Sequence, residues 1–111
     1  MADSPFDIDL AEVRAFLARK DERRRAELDA RFERATIDFE AIVERIVARH
    51  SPLRIYQWGS LLDRKKFTEI SDIDLAVEGL KGPEDYFALL GDVMALSDFP
   101  LDIVELEKVG E

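Results

Sequence analysis

Between Leu10 and about Arg49 the chain contains no proline or glycine, and apolar residues recur at Leu28, Phe32, Ala35, Phe39, Ile42 and Ile46, with Val43 and Val47 widening the stripe. Steps of four and three mark one face of an amphipathic helix. An earlier apolar patch, Leu10, Val13, Phe16 and Leu17, is cut off from that stripe by Arg19 to Glu27, which reads RKDERRRAE. The helical register continues across this gap while the apolar content lapses, as in a solvated helix face with intrahelical pairs. A rod of about 40 residues spans roughly 60 Å, against very roughly 30 Å for a compact chain of this size, so part of the helix must overhang. Leu28 to Val47 is expected to pack on the sheet, and the Leu10 to Leu17 patch to meet a partner chain or a folded-back neighbour.

The helix ends can be read as well. Ser4-Pro5-Phe6-Asp7 has the form of a start, with Ser4 as N-cap, Pro5 in the first turn and Asp7 three residues after the cap. Pro52 disfavours helical geometry in the residue before it, so His50-Ser51-Pro52 is a stop. His50 is the only histidine and is expected in an ordinary surface role at a helix C-terminus.

Beyond the helix the apolar period shortens to two. Leu53 to Trp58 predicts a first strand, with Trp58 in the core. Ser71 to Glu78 predicts a second, whose apolar face is Ile73, Leu75 and Val77. Gly79 to Pro83 turn the chain. Glu84 to about Ser97 then carries Tyr86, Phe87, Leu89, Leu90, Val93, Met94 and Leu96 at helical spacing, a core helix whose aromatics are packing residues. Leu101 to Leu106 predicts a third short strand. These elements give an α/β (α+β) chain: a small mixed sheet packed by helices, with a long N-terminal helix. The length of 111 residues suits a single domain over 1–111, divided into a helical extension at about 5–50 and a core at 51–106.

Charge narrows the function. Charged residues make up 37% of the chain, well above the usual quarter, consistent with much solvated helix surface. The formal net charge is −9, and setting aside the three acids Asp72, Asp74 and Asp102 still leaves −6. Direct binding to nucleic-acid phosphates is therefore not expected, whereas a single nucleotide can be held if divalent cations bridge its phosphates to carboxylates. Without cysteine there is no disulfide, thiolate metal site or thiol nucleophile. The acidic N-terminus MADSPFDID lacks the regions of a signal peptide, and no apolar run reaches membrane-spanning length. A cytoplasmic protein with no membrane contact is the expectation.

The chemistry is concentrated between Trp58 and Val77, reading WGSLLDRKKFTEISDIDLAV. On a strand Asp72 and Asp74 point to one side, about 7 Å apart along the backbone, and two carboxylates aimed together suit a metal ion. Gly59-Ser60, after the apolar run Ile55 to Trp58, offers a tight turn whose backbone N–H groups can cradle a phosphate. The N-terminal Asp7-Ile8-Asp9 imitates the later Asp-Ile-Asp without any Gly-Ser turn before it. On a helix, residues two apart diverge by roughly 200°, so this pair is an imitation and not a site.

Trp58-Gly59-Ser60, then Asp72-Ile73-Asp74-Leu75 eleven residues on, then Asp102 on a later strand, resembles the signature of the DNA polymerase beta-like nucleotidyltransferases, and most of all their minimal members. The similarity covers Leu53 to Leu106. It implies that Asp72 and Asp74 bridge two Mg²⁺ ions, that Asp102 holds the ion at the attacking hydroxyl and helps remove its proton, and that Gly59 and Ser60 hold the β and γ phosphates of ATP. It also implies AMP transfer to a hydroxyl of a protein. Many minimal nucleotidyltransferases are antitoxins that adenylylate a tyrosine of a partner HEPN ribonuclease toxin. A non-catalytic antitoxin that masks the toxin by binding is the alternative, and the N-terminal helix is a candidate docking element for such a partner or for a homodimer. One departure stands out: relatives often read Gly-Ser-x-Ala-Arg-Gly, whereas here Asp63 occupies the third position after Ser60, so that Arg64, Lys65 and Lys66 are the candidates for the positive charge at the phosphates. Relatives also usually continue past the third acid with a further helix and a short strand.

Overall fold

The computed structural model describes residues 9–108. Five principal elements follow in order: helix α1 (Leu10–His50), strand β1 (Arg54–Trp58), strand β2 (Ile73–Glu78), helix α2 (Pro83–Val93) and strand β3 (Leu101–Glu105). Short 3-10 turns at Ser60–Leu62, Arg64–Lys66, Met94–Leu96 and Leu106–Lys108 join or extend them. The result is a mixed α+β chain with a long N-terminal helix and a small three-stranded mixed sheet.

Helix α1 runs unbroken for 41 residues, as the absence of proline and glycine requires. Its cap is Asp9, whose carboxylate accepts hydrogen bonds from the backbone N–H groups of Ala11 and Glu12. Asp9 therefore stands just outside the helix and satisfies two of its orphan donors. The start expected at Ser4 lies outside the described residues, as does Asp7. At the other end Ser51 adopts a left-handed conformation (φ 44°) and returns its N–H to the Ile46 carbonyl, a C-terminal closure that precedes Pro52.

Only the second half of α1 is buried. Ala35, Ile42 and Ile46 are fully enclosed, and Phe32 and Phe39 pack against them, whereas Ile37 and Val47 face solvent. Leu10, Val13, Phe16 and Leu17 are all exposed, so the first patch does not fold back on the body. The molecule measures 76 × 29 × 19 Å, with a radius of gyration of 21.3 Å, against roughly 13 Å for a compact chain of this length. The overhang is the cause.

The sheet order is β1-β2-β3, antiparallel between β1 and β2 and parallel between β2 and β3. A parallel neighbour needs a crossover, which α2 provides. One sheet face carries Ile73, Leu75, Val77 and Ile103, all buried under the two helices together with Leu61, Phe67, Leu89 and Val93. Phe32 of α1 meets Phe67 edge-on with ring centroids 5.3 Å apart. The Tyr86 hydroxyl donates to the Ile103 carbonyl at 2.7 Å, satisfying a backbone acceptor on β3.

Several expectations need correction. Trp58 is not core. It lies on the opposite face of β1 from Ile55 and is 40% exposed, as is Tyr56. Strand alternation allows one set of a strand's side chains to face the helices, and β1 spends those positions on Ile55 and Gln57. Phe87 and Met94 of the second helical stretch are likewise exposed; of its two aromatics only Tyr86 packs. His50 is not an ordinary surface residue, since its Nε2 lies 2.6 Å from Asp92, which Arg49 also reaches. The pair ties the end of α1 to α2, and the hydrogen bond from His50, helped by Arg49, holds the Asp92 carboxyl below the usual aspartate range.

No helix among the described residues is long and apolar enough to cross a membrane.

Candidate functional site

The site forms where the ends of β1, β2 and β3 meet on the sheet face away from the helices. Inward burial of Ile73, Leu75 and Val77 dictates that Asp74 points outward. Register does the rest. Asp74 stands opposite Trp58 on one side and opposite Asp102 on the other. Directly paired residues share a face, so Trp58, Asp74 and Asp102 form one row across three strands.

Asp72 reaches the same neighbourhood by another route. Strand β2 begins at Ile73, whose N–H donates to the Pro100 carbonyl in the first bond of the parallel ladder. The preceding residues Thr68 to Ser71 form a turn instead: the Ser71 N–H donates to the Thr68 carbonyl, and the Ser71 Oγ accepts from the Thr68 N–H at 2.8 Å. Asp72 therefore leaves a turn and does not sit in the strand. The strand alternation expected to align it with Asp74 does not govern it. Its charge is nonetheless felt at Asp74, whose carboxyl is pushed above the ordinary aspartate range by partial burial first, then by the neighbouring charges of Asp102 and Asp72. Burial and like charge both disfavour the ionised form.

Gly59 closes the site from the β1 side. Its φ of +85° is costly for other residues, and a Cβ at this position would collide with Asp74 Oδ2 and lie 2.8 Å from its Cγ. Glycine is needed here both for the turn and for the approach of the aspartate. Ser60 then opens a 3-10 turn, with the Leu62 N–H donating to the Gly59 carbonyl and the Asp63 N–H to the Ser60 carbonyl. Leu61 in the same turn is buried and pins it to the core.

The positive charges beyond this turn separate clearly. Arg64 pairs with Asp29 of α1, and its guanidinium lies 5.2 Å from the Phe32 ring centroid. It is committed to the helix. Lys65 and Lys66 are exposed. Asp63, the departure from the related motif, serves the local backbone, since its carboxylate accepts from the Lys65 N–H at 3.0 Å and caps the second 3-10 turn.

The structure thus brings Gly59, Ser60, Asp72, Asp74 and Asp102 into one region, leaves Lys65 exposed in the following 3-10 turn, and turns Arg64 toward α1. Among the described residues no group of three or more histidine, aspartate or glutamate side chains is gathered closely enough to hold a metal ion. Asp74 and Asp102 nevertheless occupy adjacent strands, about 4.8 Å apart, so rotation of side chains about their own bonds is the motion needed to converge their oxygens. Carboxylate oxygens are the donor type that Mg²⁺ takes, and the mutual repulsion felt at Asp74 is what such an ion would relieve.

Trp58 is the residue of this region that sequence reasoning misplaced. The available signal was pairing: once Asp74 faces outward, whatever residue lies opposite it in an antiparallel neighbour must face outward too.

A scan against protein-family models gives no match, and comparison with curated proteins and with solved structures gives none either.

Proposed function

We propose that this chain is a Mg²⁺-dependent nucleotidyltransferase with a polymerase-beta-like core, which moves AMP from ATP to a hydroxyl of a protein, a tyrosine of a HEPN ribonuclease toxin, and acts as its antitoxin. The observation that carries this reading is the register that sets Asp74 beside Asp102, with Gly59 packed against Asp74 at the head of a Gly-Ser turn. Two unrelated aspartates have no structural reason to be neighbours on adjacent strands, where they repel.

In this reading the Gly59-Ser60 turn receives the β and γ phosphates, with Lys65 and Lys66, which follow Arg64, as exposed cations close by in sequence. Asp72, Asp74 and Asp102 would hold two Mg²⁺ ions, which stabilise the entering and leaving oxygens of the transfer. Asp102, exposed at the start of β3, accepts the proton of the attacking hydroxyl. The new bond forms between that oxygen and the α-phosphorus, the bond to the β-phosphate oxygen breaks, and pyrophosphate departs. A protein acceptor suits the overhanging half of α1, whose Leu10, Val13, Phe16 and Leu17 are exposed along one stretch of helix.

The second reading, masking of the toxin without catalysis, is favoured by two observations. Arg64 is engaged by Asp29, and the three acids are not gathered among the described residues. Incubation with labelled ATP, Mg²⁺ and a HEPN toxin separates the two. Wild type should label the toxin, and Asp72→Ala with Asp74→Ala should cut labelling by at least about 100-fold, as expected when metal ligands of a phosphoryl transfer are removed. Neutralisation by both proteins without label on the toxin would establish masking.

A further inference from the structure

The outward face of the sheet has two chemically different ends. Asp74 and Asp102 make one end anionic, and Trp58 with Tyr56, two residues earlier on the same face, makes the other aromatic. Trp58 and Asp74 are direct neighbours in one row, and in the next row along the strands Tyr56 is paired with Ala76, which is buried, with Val104 beyond it. Neither helix covers this face among the described residues, since the buried side chains of α1 and α2 all belong to the cluster on the inner side.

Trp58 is 40% exposed although nothing in β1 prevents a smaller or polar residue there. A large aromatic left open beside carboxylates has the shape of a binding platform, because a ring offers a flat apolar face with few rotatable bonds to immobilise. The molecule that matches both ends at once carries phosphates at one end and a planar ring at the other. Position on the sheet decides which ring. Trp58 directly precedes the Gly59-Ser60 turn assigned to the phosphates, and it sits on β1, whereas Asp102, assigned to the acceptor hydroxyl, sits on β3 beyond β2. Those outer strands are separated by two strand spacings, about 9.5 Å. The acceptor and the aromatic platform are therefore on opposite sides of Asp74.

We propose that Trp58 is the platform on which the nucleobase of the bound nucleotide stacks, with Tyr56 as the adjoining wall. Alternate residues of a strand stand about 7 Å apart, twice the roughly 3.5 Å separation of carbon atoms in contact, which is room for one planar ring between two side chains. The proposal rests on the nucleotidyltransferase reading above and gives its purine nucleotide a physical basis, since the larger ring system covers more of the indole.

Trp58 is the sole tryptophan of the chain, so its fluorescence reports on this position alone. Titration in Mg²⁺ with ATP should quench it saturably, CTP should quench it with weaker affinity, and inorganic tripolyphosphate should raise the thermal midpoint without quenching. Trp58→Phe should keep ATP affinity within about threefold. Trp58→Ala should weaken ATP by roughly 5- to 150-fold, the range of one base–aromatic stack, while leaving tripolyphosphate affinity unchanged by calorimetry. Far-UV circular dichroism checks that both variants fold. If ATP and tripolyphosphate bind equally and Trp58→Ala changes neither, the platform is refuted while the phosphate site stands. If neither ligand binds the wild type, the nucleotidyltransferase reading itself falls, and the platform with it.

Discussion

The two faces of β2 differ by one residue in the sequence and by everything in their surroundings. Ile73, Leu75 and Val77 are fully enclosed, and their face is closed by two helices and by the side chains of the Gly59–Phe67 loop. Asp74 on the other face shares its row with a second acid and an exposed tryptophan. The inner face holds the strand by burial, at roughly 1.5–3 kcal/mol for each large apolar side chain, and that anchoring allows the outer face to keep carboxylates that repel one another. Stability and chemistry are thus divided across the thickness of a single strand.

Substitutions on the two faces should therefore differ in sign as well as size. The largest effect is expected from Leu75→Ala, which empties a fully enclosed site and should cost about 2–5 kcal/mol, measured by urea denaturation. Gly59→Ala comes next, at roughly 1–3 kcal/mol, from a left-handed backbone and a Cβ driven into Asp74. Repeating it in an Asp74→Ala background removes the collision with Oδ2 and Cγ and leaves the backbone cost, so the two changes should be non-additive. Full additivity would mean that the glycine is needed for its turn alone.

The smallest effect has the opposite sign. Asp74 has a raised carboxyl pKa in the folded chain, so its protonated form is favoured there. Its contribution to stability is greatest below the ordinary aspartate value and is lost as pH rises through the raised one. Asp74→Asn should therefore raise the melting midpoint of the ligand-free protein at pH 7, by on the order of 1–3 °C. That gain should vanish as pH falls into the ordinary aspartate range. A loss of stability at pH 7 would show that the outer face is held by Asp74 rather than burdened by it.

Much of this was legible from the residues. The long helix followed from an uninterrupted register, the three strands from their alternation, and the outward aspartate of β2 from the apolar residues on either side of it. Trp58 was not legible, because β1 offers an aromatic or aliphatic residue at three of its five positions and alternation alone does not say which set faces the helices. Only the pairing with β2 decides that, and pairing is a long-range fact. The backbone at Asp72 was hidden for a related reason: Ser71 prefers a side-chain bond to the Thr68 backbone over extension of the strand. The destination of Arg64 depended on Asp29, distant in sequence and brought close only by the packing of α1. Local pattern gives elements and faces, and partners across the fold give the rest.

The unequal burial of α1 has a consequence for how the helix opens. Its hydrogen bonds are of one kind along all 41 residues, but the half from about Phe32 onward is locked to the core, while the half around Arg19 to Arg25 is held by its own turns and by scattered ion pairs such as Arg25 with Asp21 and Arg24 with Glu69. Amide exchange should consequently be graded along a single continuous helix, fast before Leu28 and approaching the global unfolding limit near Ile42. The same rod is thus a rigid structural member at one end and a readily unwound segment at the other, with the change of character falling where the charged run meets the first buried turn.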